Sequence, residues 1–386
     1  MSRKQLLVLF VLSTLIWTFN GVLPLLPVYA ALLGAKPAAI GNYLSLSYLA
    51  LVIGTVFAGW LSDKLQRRKV WLVIGSTIGI PGVWLMGHAS NIQQLTALTA
   101  GVWFIGGIGV TLISILTGLF AHKTERGKVF GILAATGALG SLIGGLATGP
   151  IADRWGYETL FAVLAIYWSF FPVAALLLED REIARPRVGT ASTAQESSGL
   201  GRAFAFLLLA TTVAGTVSFV GSMGTSLAMK AQGFALTAIS STGAVAGAVT
   251  LPLPILIGWL SDRVERRRLL GLCYLAGTAG MVILVAATSL WQFWVSAALR
   301  SLLVSGGRAA GSALATDLVP RESLGRGMSL FTTTTWVGGI IGFAGTGYAV
   351  QHLGIVSTFL LGALMQFVAI FLLIPVRRRQ VGTVEL

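Results

Sequence analysis

The sequence predicts an all-α membrane protein with twelve transmembrane helices, arranged as two six-helix bundles related by pseudo-two-fold symmetry. Three observations support this fold class: the apolar composition, the regular spacing of apolar segments and an internal repeat. Of the 386 residues, 55% are hydrophobic and 10% are charged, whereas soluble domains carry about 25% charged residues. With a mean hydropathy of +0.84, the chain belongs to the membrane class.

Apolar segments of about 20 residues recur along the whole chain, and each is long enough to cross ~30 Å of hydrocarbon. The first segment follows Arg3 and Lys4 as a signal sequence would, but it continues through Pro24 and Pro27 without a cleavage site, so we interpret it as a span. The twelve segments are centred near residues 17, 50, 79, 106, 138, 168, 215, 248, 278, 305, 337 and 364.

The formal charge of +14 is a topology signal, because the basic residues cluster in alternate connections between segments. One side of the membrane holds nearly all of them, and the other holds only Lys36, Arg154 and Lys230. Basic loops remain in the cytoplasm. We therefore predict a multi-pass protein of the cell membrane with both termini cytoplasmic, and no nucleic-acid partner.

An internal repeat indicates that the chain is a duplicated six-helix unit. The pentapeptide Gly-Trp-Leu-Ser-Asp occurs at residues 59–63 and again at 258–262, a shift of 199. Gly156 recurs as Gly354, a shift of 198. Six spans return the chain to its starting side, so the repeats are parallel and a solute site is expected between them near the midplane.

The repeat and the polar stretch in the middle of the chain define the predicted domains. Residues 1–178 form the N-terminal bundle and residues 203–376 the C-terminal bundle. Residues 179–202, rich in charges, Ser, Thr and Gly, are predicted to be a cytoplasmic linker, and residues 377–386 a cytoplasmic tail.

The two pentapeptides extend into a longer motif. The first copy reads Gly-Trp-Leu-Ser-Asp-Lys-Leu-Gln-Arg-Arg from Gly59 to Arg68. It resembles the cytoplasmic signature of the major facilitator superfamily, Gly-x-Leu-Ala/Ser-Asp-Arg/Lys-x-Gly-Arg-Arg/Lys, with Gln66 in place of the usual glycine. The second copy has Glu265 at that position. The resemblance covers essentially the whole chain and implies the twelve-helix fold of that superfamily.

The signature also implies a conformational switch. Glycine permits close approach of a neighbouring helix, and an aspartate beside it can pair with arginine or face a helix N-terminus. The resemblance implies that these contacts hold the cytoplasmic side shut in the outward-facing state. The alternative is that Asp63 only neutralises Lys64 and Arg67 on a solvated loop. The predicted switch residues are Gly59, Asp63, Arg67, Arg68, Gly258, Asp262, Arg266 and Arg267.

Predicted span 5 carries small residues at a spacing of four, among them Gly140, Gly144 and Gly145. This pattern allows tight helix crossing. It also resembles the Gly-x-x-x-Gly-Pro-x-x-Gly-Gly motif of drug:proton antiporters, with Ser141 at the proline position. Glycine packing alone remains the alternative interpretation.

Arg300 and Arg308 lie deep in predicted span 10, where a charge costs roughly 2.5–3.5 kcal/mol on insertion scales. An arginine that the superfamily carries in span 4 is replaced here by Trp103, and Arg300 holds the equivalent place in the second half. The two guanidinium groups are expected to face one cavity and to bind an anionic group of a substrate. The alternative is a structural role in glycine-rich helix packing.

No Asp or Glu lies well inside a predicted span. Coupling to protons would therefore use an edge carboxylate such as Asp63, Asp153 or Glu158, and coupling to another ion or to exchange is the alternative. Resemblance to the superfamily places the cavity between spans 1, 4, 7 and 10 and their neighbours. The candidate cavity residues are Trp17, Asn20, Tyr43, Tyr48, Trp103, Phe219, Ser222, Arg300, Arg308, Thr334, Thr335 and Trp336.

Aromatic walls with few polar groups suit an amphipathic or lipophilic solute. The leading functional hypothesis is a secondary active transporter that works by alternating access and exports small compounds of this kind, as drug-efflux carriers do. The alternatives are a carrier of organic anions or sugar-like solutes anchored by Arg300, or a lipid flippase. The chain carries no zinc-protease or serine-hydrolase motif, so we expect no enzyme activity, metal or cofactor. By resemblance to the superfamily, we expect a monomer.

Overall fold

The computed structural model of the protein describes residues 2–65, 67–121, 126–179, 201–261, 263–320 and 323–376, without the side chains of residues 63, 65 and 126–128. Nearly all the described residues are helical, and none of them lies in a strand. The all-α prediction is therefore confirmed. Most of the predicted linker and all of the predicted tail lie outside the described residues.

The spans are α1 (Arg3–Phe19, Asn20–Val22 and Leu26–Leu32), α2 (Pro37–Leu65), α3 (Arg68–Met86), α4 (Ile92–Phe120), α5 and α6 (Arg126–Leu176, divided at Gly156), α7 (Arg202–Ala231), α8 (Leu236–Thr250 and Leu253–Ser261), α9 (Arg266–Val285), α10 (Leu290–Gly306, Gly307–Gly311 and Ser312–Leu318), α11 (Leu324–Leu353) and α12 (Ile355–Leu372). In the described part of the chain, eight continuous helices are long and apolar enough to cross a membrane, and the bent α8 is a ninth. One of the eight is the long helix Arg126–Leu176, and its division at Gly156 gives a tenth span. With α10 and α11, the number of spans is the predicted twelve.

Three spans are interrupted. In α1 a 3-10 turn, Asn20–Val22, is followed by Pro24. In α8 the axis bends by 42° beside Pro252, because proline lacks the N–H that continues a helix. In α10 a π turn, Gly307–Gly311, replaces one α-helical turn and contains Arg308. Such π turns frequently occur at functional sites.

Spans α1–α6 form one bundle and α7–α12 the other. In the first bundle α2 packs on α4, α1 on α5 and α3 on α6, and in the second α8 packs on α10, α7 on α11 and α9 on α12. The bundles meet where α2 contacts α11 and where α5 contacts α8. A two-fold axis exchanges these two contacts, as the internal repeat predicted.

Four glycines with positive φ repeat the same symmetry. Gly34 and Gly233 have φ of 79° and 78°, and Gly156 and Gly354 have φ of 79° and 81°. Each pair is related by the sequence shift between the halves. Glycine adopts this backbone conformation without a steric penalty. The recurrence of Gly156 and Gly354 in the sequence is thus explained by two equivalent turns.

The bundles contact each other in only one half of the described structure. We call the face where α1 begins and α12 ends the basic face, and the other the opposite face. Toward the opposite face the Ser45 hydroxyl donates to the Ile340 carbonyl at 2.9 Å, and a Cβ on Gly145 would lie 2.4 Å from the Ala244 nitrogen. No hydrogen bond between described residues joins the bundles in the half near the basic face. In the described part of the chain, the bundles are therefore joined at the opposite face and have no such link near the basic face, so this part is open toward the basic face.

Candidate functional site

Aromatic side chains from both bundles form one cluster around Tyr48 of α2. The ring centroids of Trp103 on α4, Phe219 on α7, and Trp336 and Phe343 on α11 lie 6.1, 5.0, 5.7 and 5.8 Å from that of Tyr48. Separations of this size are typical of favourable aromatic pairs. We call these five residues the aromatic cluster. The structure thus brings together four of the predicted cavity residues.

Two glycines of α11 make room for the aromatic cluster. A Cβ on Gly339 would lie 2.2 Å from the Cε1 atom of Tyr48, and a Cβ on Gly342 would lie 2.9 Å from the Cβ atom of Phe219. Both distances are far shorter than a van der Waals contact. The rings can therefore occupy these positions only because α11 presents glycine to them.

The other predicted residues of the first bundle lie away from the aromatic cluster. Tyr43 is buried, and its hydroxyl is 3.1 Å from the Thr99 hydroxyl within that bundle, so it packs α2 against α4. Trp17 lies over Gly137 and helps to line a cavity of about 190 Å³ between α1, α4 and α5. Asn20 is half-buried in the 3-10 turn of α1.

Three polar candidates of the second bundle lie on α7 and α11. Ser222 is half-buried, and its carbonyl accepts a hydrogen bond from the Ser226 hydroxyl at 3.3 Å. Thr334 is buried and donates to the Phe331 carbonyl of its own helix at 2.6 Å. Thr335 is exposed. Of the two threonines, only Thr335 therefore has an accessible hydroxyl.

Arg300 packs inside the second bundle. Its Nη2 atom donates to the Thr225 hydroxyl on α7 at 3.4 Å. A Cβ on Gly221 would lie 2.5 Å from Nη1, and a Cβ on Gly280 would lie 3.1 Å from Cγ. The side chain thus fills space that two glycines leave between α7 and α9, and its buried Nε has no hydrogen-bond partner among the described residues. This environment supports the structural interpretation of Arg300.

Arg308 has different surroundings. It lies in the π turn of α10, its side chain is exposed, and its charge acts on the hydroxyl of Tyr48 in the other bundle. The two arginines, expected to face one cavity, thus have different surroundings in the described structure. The π turn rotates the end of α10 relative to an uninterrupted α-helix, so spacing along the sequence does not give the direction of Arg308.

The glycines of the two signature copies have open space around them. A Cβ added to Gly59 or Gly258 would have no other heavy atom within 4 Å. The side chain of Asp63 and the whole of Asp262 lie outside the described structure, so their roles stay predictions. Among the residues that the structure describes, no neighbouring helix therefore packs against the Cβ position of either signature glycine.

The signature arginines are placed at the starts of α3 and α9. Arg67 is exposed, and Arg68 donates from Nε to the Ser62 hydroxyl at 2.7 Å. In the second copy Arg266 forms a 2.7 Å ion pair with Asp317 of α10, and Arg267 is half-buried. The second copy is therefore tied to α10 within its own bundle.

The glycines of the span 5 motif lie on two faces of α5. A Cβ on Gly140 would lie 2.4 Å from the carbonyl carbon of Trp17, and a Cβ on Gly144 would lie 2.3 Å from the carbonyl oxygen of Thr18. These two glycines bring α5 against α1. Gly145 points to α8 instead, so the same motif also forms the contact between the bundles.

Phe343 is a member of the aromatic cluster that the sequence reasoning missed. It follows Trp336 by seven residues, which puts both side chains on one face of α11. That spacing was the available signal. The spacing identifies Phe343 as a cluster residue only when Tyr48 is known to face α11.

Comparison with known proteins agrees with this architecture. The sequence profile of the Major Facilitator Superfamily matches residues 6–227 and again residues 203–385. The multidrug resistance protein MdtG of Klebsiella pneumoniae (strain 342) is 36% identical over 163 residues, 39% of each chain. MdtG of Serratia proteamaculans (strain 568) is 26% identical over 301 residues, 74% of this chain and 71% of that protein. Several such alignments span about two fifths of the relative's length.

Solved structures share the fold. The nucleoside transporter NupG has a TM-score of 0.76 at 16% identity and covers 97% of this chain and 98% of its own. A bacterial homologue of the human lysosomal transporter Spinster, in an inward-facing and occupied conformation, has a TM-score of 0.77 at 13% identity and covers 97% of each chain. At these identities the likeness concerns the fold alone. Because the family profile matches both halves and the fold agrees, the chain belongs to the Major Facilitator Superfamily.

Proposed function

We propose that the protein is a secondary active transporter that exports small lipophilic or amphipathic compounds by alternating access, as a multidrug-type efflux carrier. The observation that carries this proposal is the aromatic cluster, which both bundles build where the open cavity ends. Aromatic surfaces with few polar groups accept apolar solutes of varied shape. The names of the multidrug resistance relatives support the same class of substrate.

Alternating access requires the contacts at the opposite face to separate while the ends at the basic face approach. The contacts to be broken are those of α2 with α11 and of α5 with α8. In the alternate state the signature glycines receive the neighbouring helices, and the signature charges hold them. The residues assigned to this step are Gly59, Asp63, Arg67, Arg68, Gly258, Asp262, Arg266 and Arg267.

The proposed topology follows from the basic residues. Basic loops remain in the cytoplasm, so the basic face is assigned to the cytoplasm together with both termini. Residues 179–202 are the proposed cytoplasmic linker between the bundles 1–178 and 203–376, and residues 377–386 the proposed tail. With this topology, the cavity loads its solute from the cytoplasm or the inner leaflet, as an exporter requires.

The proposed partners are a small-molecule substrate, the lipid bilayer and protons as the coupling ion. The proposed unit is a monomeric carrier that performs no catalysis and uses no cofactor or metal. Asp153, at the opposite face, is the carboxylate best placed to couple protons to opening, because it joins the two bundles there.

A carrier of organic anions is the second candidate, and the surroundings of the two arginines of α10 support one choice of anchor. Arg300 is packed between α7 and α9, whereas Arg308 is exposed beside Tyr48. The anchor of such a carrier is therefore Arg308. A lipid flippase is the third candidate.

The test uses purified protein in liposomes with an imposed pH gradient. We would follow ethidium, a lipophilic cation, and the neutral N-phenyl-1-naphthylamine, with a fluorescent phospholipid in a parallel sample. We expect gradient-driven movement of the neutral dye that Tyr48→Ala reduces about tenfold, since an aromatic contact and a large buried surface are lost. Gly345→Ala, at an open site on α11, is the matched control.

Three outcomes would contradict the proposal. One is failure of both dyes to move although the protein keeps its melting temperature. Another is equal movement in the wild type and in Tyr48→Ala, which would remove the aromatic cluster from the pathway. Movement of the phospholipid alone would establish the flippase instead.

A further inference from the structure

We infer that Arg308 is the anion-binding residue of the cavity, so that the preferred substrates are aromatic or amphipathic anions carrying a carboxylate, sulfonate or phosphonate group. This inference rests on the proposed function, because it names the substrate class of the same transport site. It rests on three features of the structure: the π turn, a guanidinium without a partner among the described residues, and the aromatic cluster built by both bundles.

The π turn directs Arg308 toward the other bundle. Gly306 lies against α9, where a Cβ would be 2.5 Å from the Sγ atom of Cys273. Gly311 lies against α11, where a Cβ would be 3.2 Å from the ring of Phe331. Close packing on these two sides leaves the cavity side for Arg308. Its electrostatic contact with Tyr48, on α2 of the first bundle, agrees with this direction.

The guanidinium of Arg308 has no hydrogen-bond or ion-pair partner among the described residues. Guanidinium carries five N–H donors in a fixed geometry. The nearest acidic residue along α10, Asp317, pairs with Arg266 instead. The sequence has no Asp or Glu deep inside any span. A charge at this depth is costly, and an anionic ligand would compensate it.

The aromatic cluster is within electrostatic reach of this charge, through Tyr48. A ligand ring packed against Tyr48, Phe219 and Trp336 would carry its anionic group to Arg308, where guanidinium forms two parallel hydrogen bonds to a carboxylate or a phosphonate. A cation in the same position would meet a like charge without a carboxylate to offset it. The described part of the cavity therefore favours anions over cations.

The experiment compares two dyes that differ by one anionic group. These are 8-anilino-1-naphthalenesulfonate and the neutral N-phenyl-1-naphthylamine, each measured for binding to the protein in nanodiscs, with protein-free nanodiscs as the blank. We expect Arg308→Gln to weaken binding of the sulfonate about 10- to 100-fold, since a charged hydrogen bond is lost, and to leave binding of the neutral dye unchanged. Arg308→Lys should retain only part of the sulfonate binding. The ammonium keeps the positive charge, but it cannot bind the sulfonate bidentately.

Arg300→Gln is the matched control, since it removes the other intramembrane guanidinium of α10. We expect it to lower the melting temperature and to leave the ratio of the two dye affinities unchanged. An unchanged ratio in Arg308→Gln would overturn the inference, as would an equal loss in both arginine variants. If Arg308→Gln does not fold, transport of 1-naphthoate and 1-naphthol by the wild type decides. Faster transport of 1-naphthol would overturn the inference and faster transport of 1-naphthoate would support it.

Failure of the anion site and failure of export give different results in liposomes. Movement of the neutral dye without the sulfonate leaves the export function in place and removes Arg308 as an anion site. Movement of neither dye, in protein with an unchanged melting temperature, contradicts the proposed function itself.

Discussion

Asp153, at the end of α5, caps the first turn of α8 in the other bundle. Its carboxylate accepts hydrogen bonds from the backbone N–H groups of Leu236 at 2.8 Å and Thr237 at 2.7 Å, and from the Thr237 hydroxyl at 2.6 Å. Ala235, which precedes this helix, has no side-chain oxygen for the purpose. A carboxylate satisfies the unpaired N–H groups at a helix N-terminus and favours the positive end of its dipole. The two bundles thus share one helix cap.

The same cap occurs at the symmetry-related position. Gln351 accepts a hydrogen bond through Oε1 from the backbone N–H of Ala38, at 3.1 Å, and so caps α2. Gln351 lies three residues before Gly354, as Asp153 lies three residues before Gly156. One cap is a carboxylate and the other an amide. Hydrogen bonds to a charged acceptor are stronger than those to a neutral one. The Asp153 cap between α5 and α8 is therefore stronger than the Gln351 cap between α11 and α2.

We predict that Asp153→Ala opens the opposite face. Loss of a helix cap costs about 0.5–2 kcal/mol. This cap forms only in the conformation in which the bundles touch, so its loss destabilises that conformation alone. The closed population should therefore fall roughly 2- to 30-fold relative to the open one. The measurement is labelling of Ser240→Cys, at a buried position between α5 and α8, by a membrane-impermeant maleimide in a Cys273→Ala background.

Arg154→Gln is the control for Asp153→Ala. Arg154 is the next residue in the chain, is exposed, and lies 5.1 Å from the ring of Trp155. We expect unchanged labelling in this variant. Equal labelling of Asp153→Ala and the wild type would show that the cap does not hold the face closed.

We predict that Gln351→Glu strengthens the closed state. The new carboxylate would lie at the N-terminus of α2, where a negative charge is favourable by about 0.3–1 kcal/mol. Labelling of Ser240→Cys should slow, and transport should slow with it because opening is harder. Gln351→Ala should change both rates in the other direction. Faster labelling in Gln351→Glu would contradict this account.

The number and order of spans could be predicted because apolar length and alternating basic clusters are local properties of the sequence. The repeat could be predicted for a similar reason, since turns such as those at Gly156 and Gly354 require glycine. The sequence predicts Tyr48, Trp103, Phe219 and Trp336 as cavity residues, and the structure places these four in the aromatic cluster. These residues are large and apolar, and they occur on spans that face the other bundle.

The directions of Tyr43 and of the two arginines could not be predicted. Tyr43 precedes Tyr48 by five residues, which places it on a different side of α2, against Thr99. The direction of Arg308 depends on a π turn, which has no sequence signature of comparable strength. The open space around Gly59 depends on the conformation, and one sequence encodes both conformations.

We predict that Gly145→Ala separates the bundles at the opposite face. The added Cβ would lie 2.4 Å from the backbone nitrogen of Ala244, and a backbone atom cannot rotate out of the way as a side chain can. Labelling of Ser240→Cys should rise and transport should fall. Gly131→Ala, at an open site on the same helix, should leave both unchanged or raise stability slightly. Equal labelling in these two variants would exclude a role for close packing at Gly145.

We predict that Gly59→Val leaves the present conformation intact but prevents the alternate one. Among the described residues, no heavy atom of a neighbouring element lies within 4 Å of a Cβ at this position, so we expect a larger side chain to be accommodated while the basic face is open. If α2 must approach a neighbouring helix there when that face closes, the added side chain resists the approach. Transport should therefore fall at least about tenfold, since overpacking costs about 1–3 kcal/mol. Labelling of Ser240→Cys should slow, and the melting temperature should hold.

Gly101→Val separates this effect from the change in helix propensity that occurs when valine replaces glycine. Gly101, on α4, has equally open space but lies near the opposite face and outside the signature. Both variants carry the same change in helix propensity, so only the role of the site differs. Gly101→Val should transport at the wild-type rate. Equal losses in both variants would mean that valine in a helix, and not closure of the basic face, limits transport.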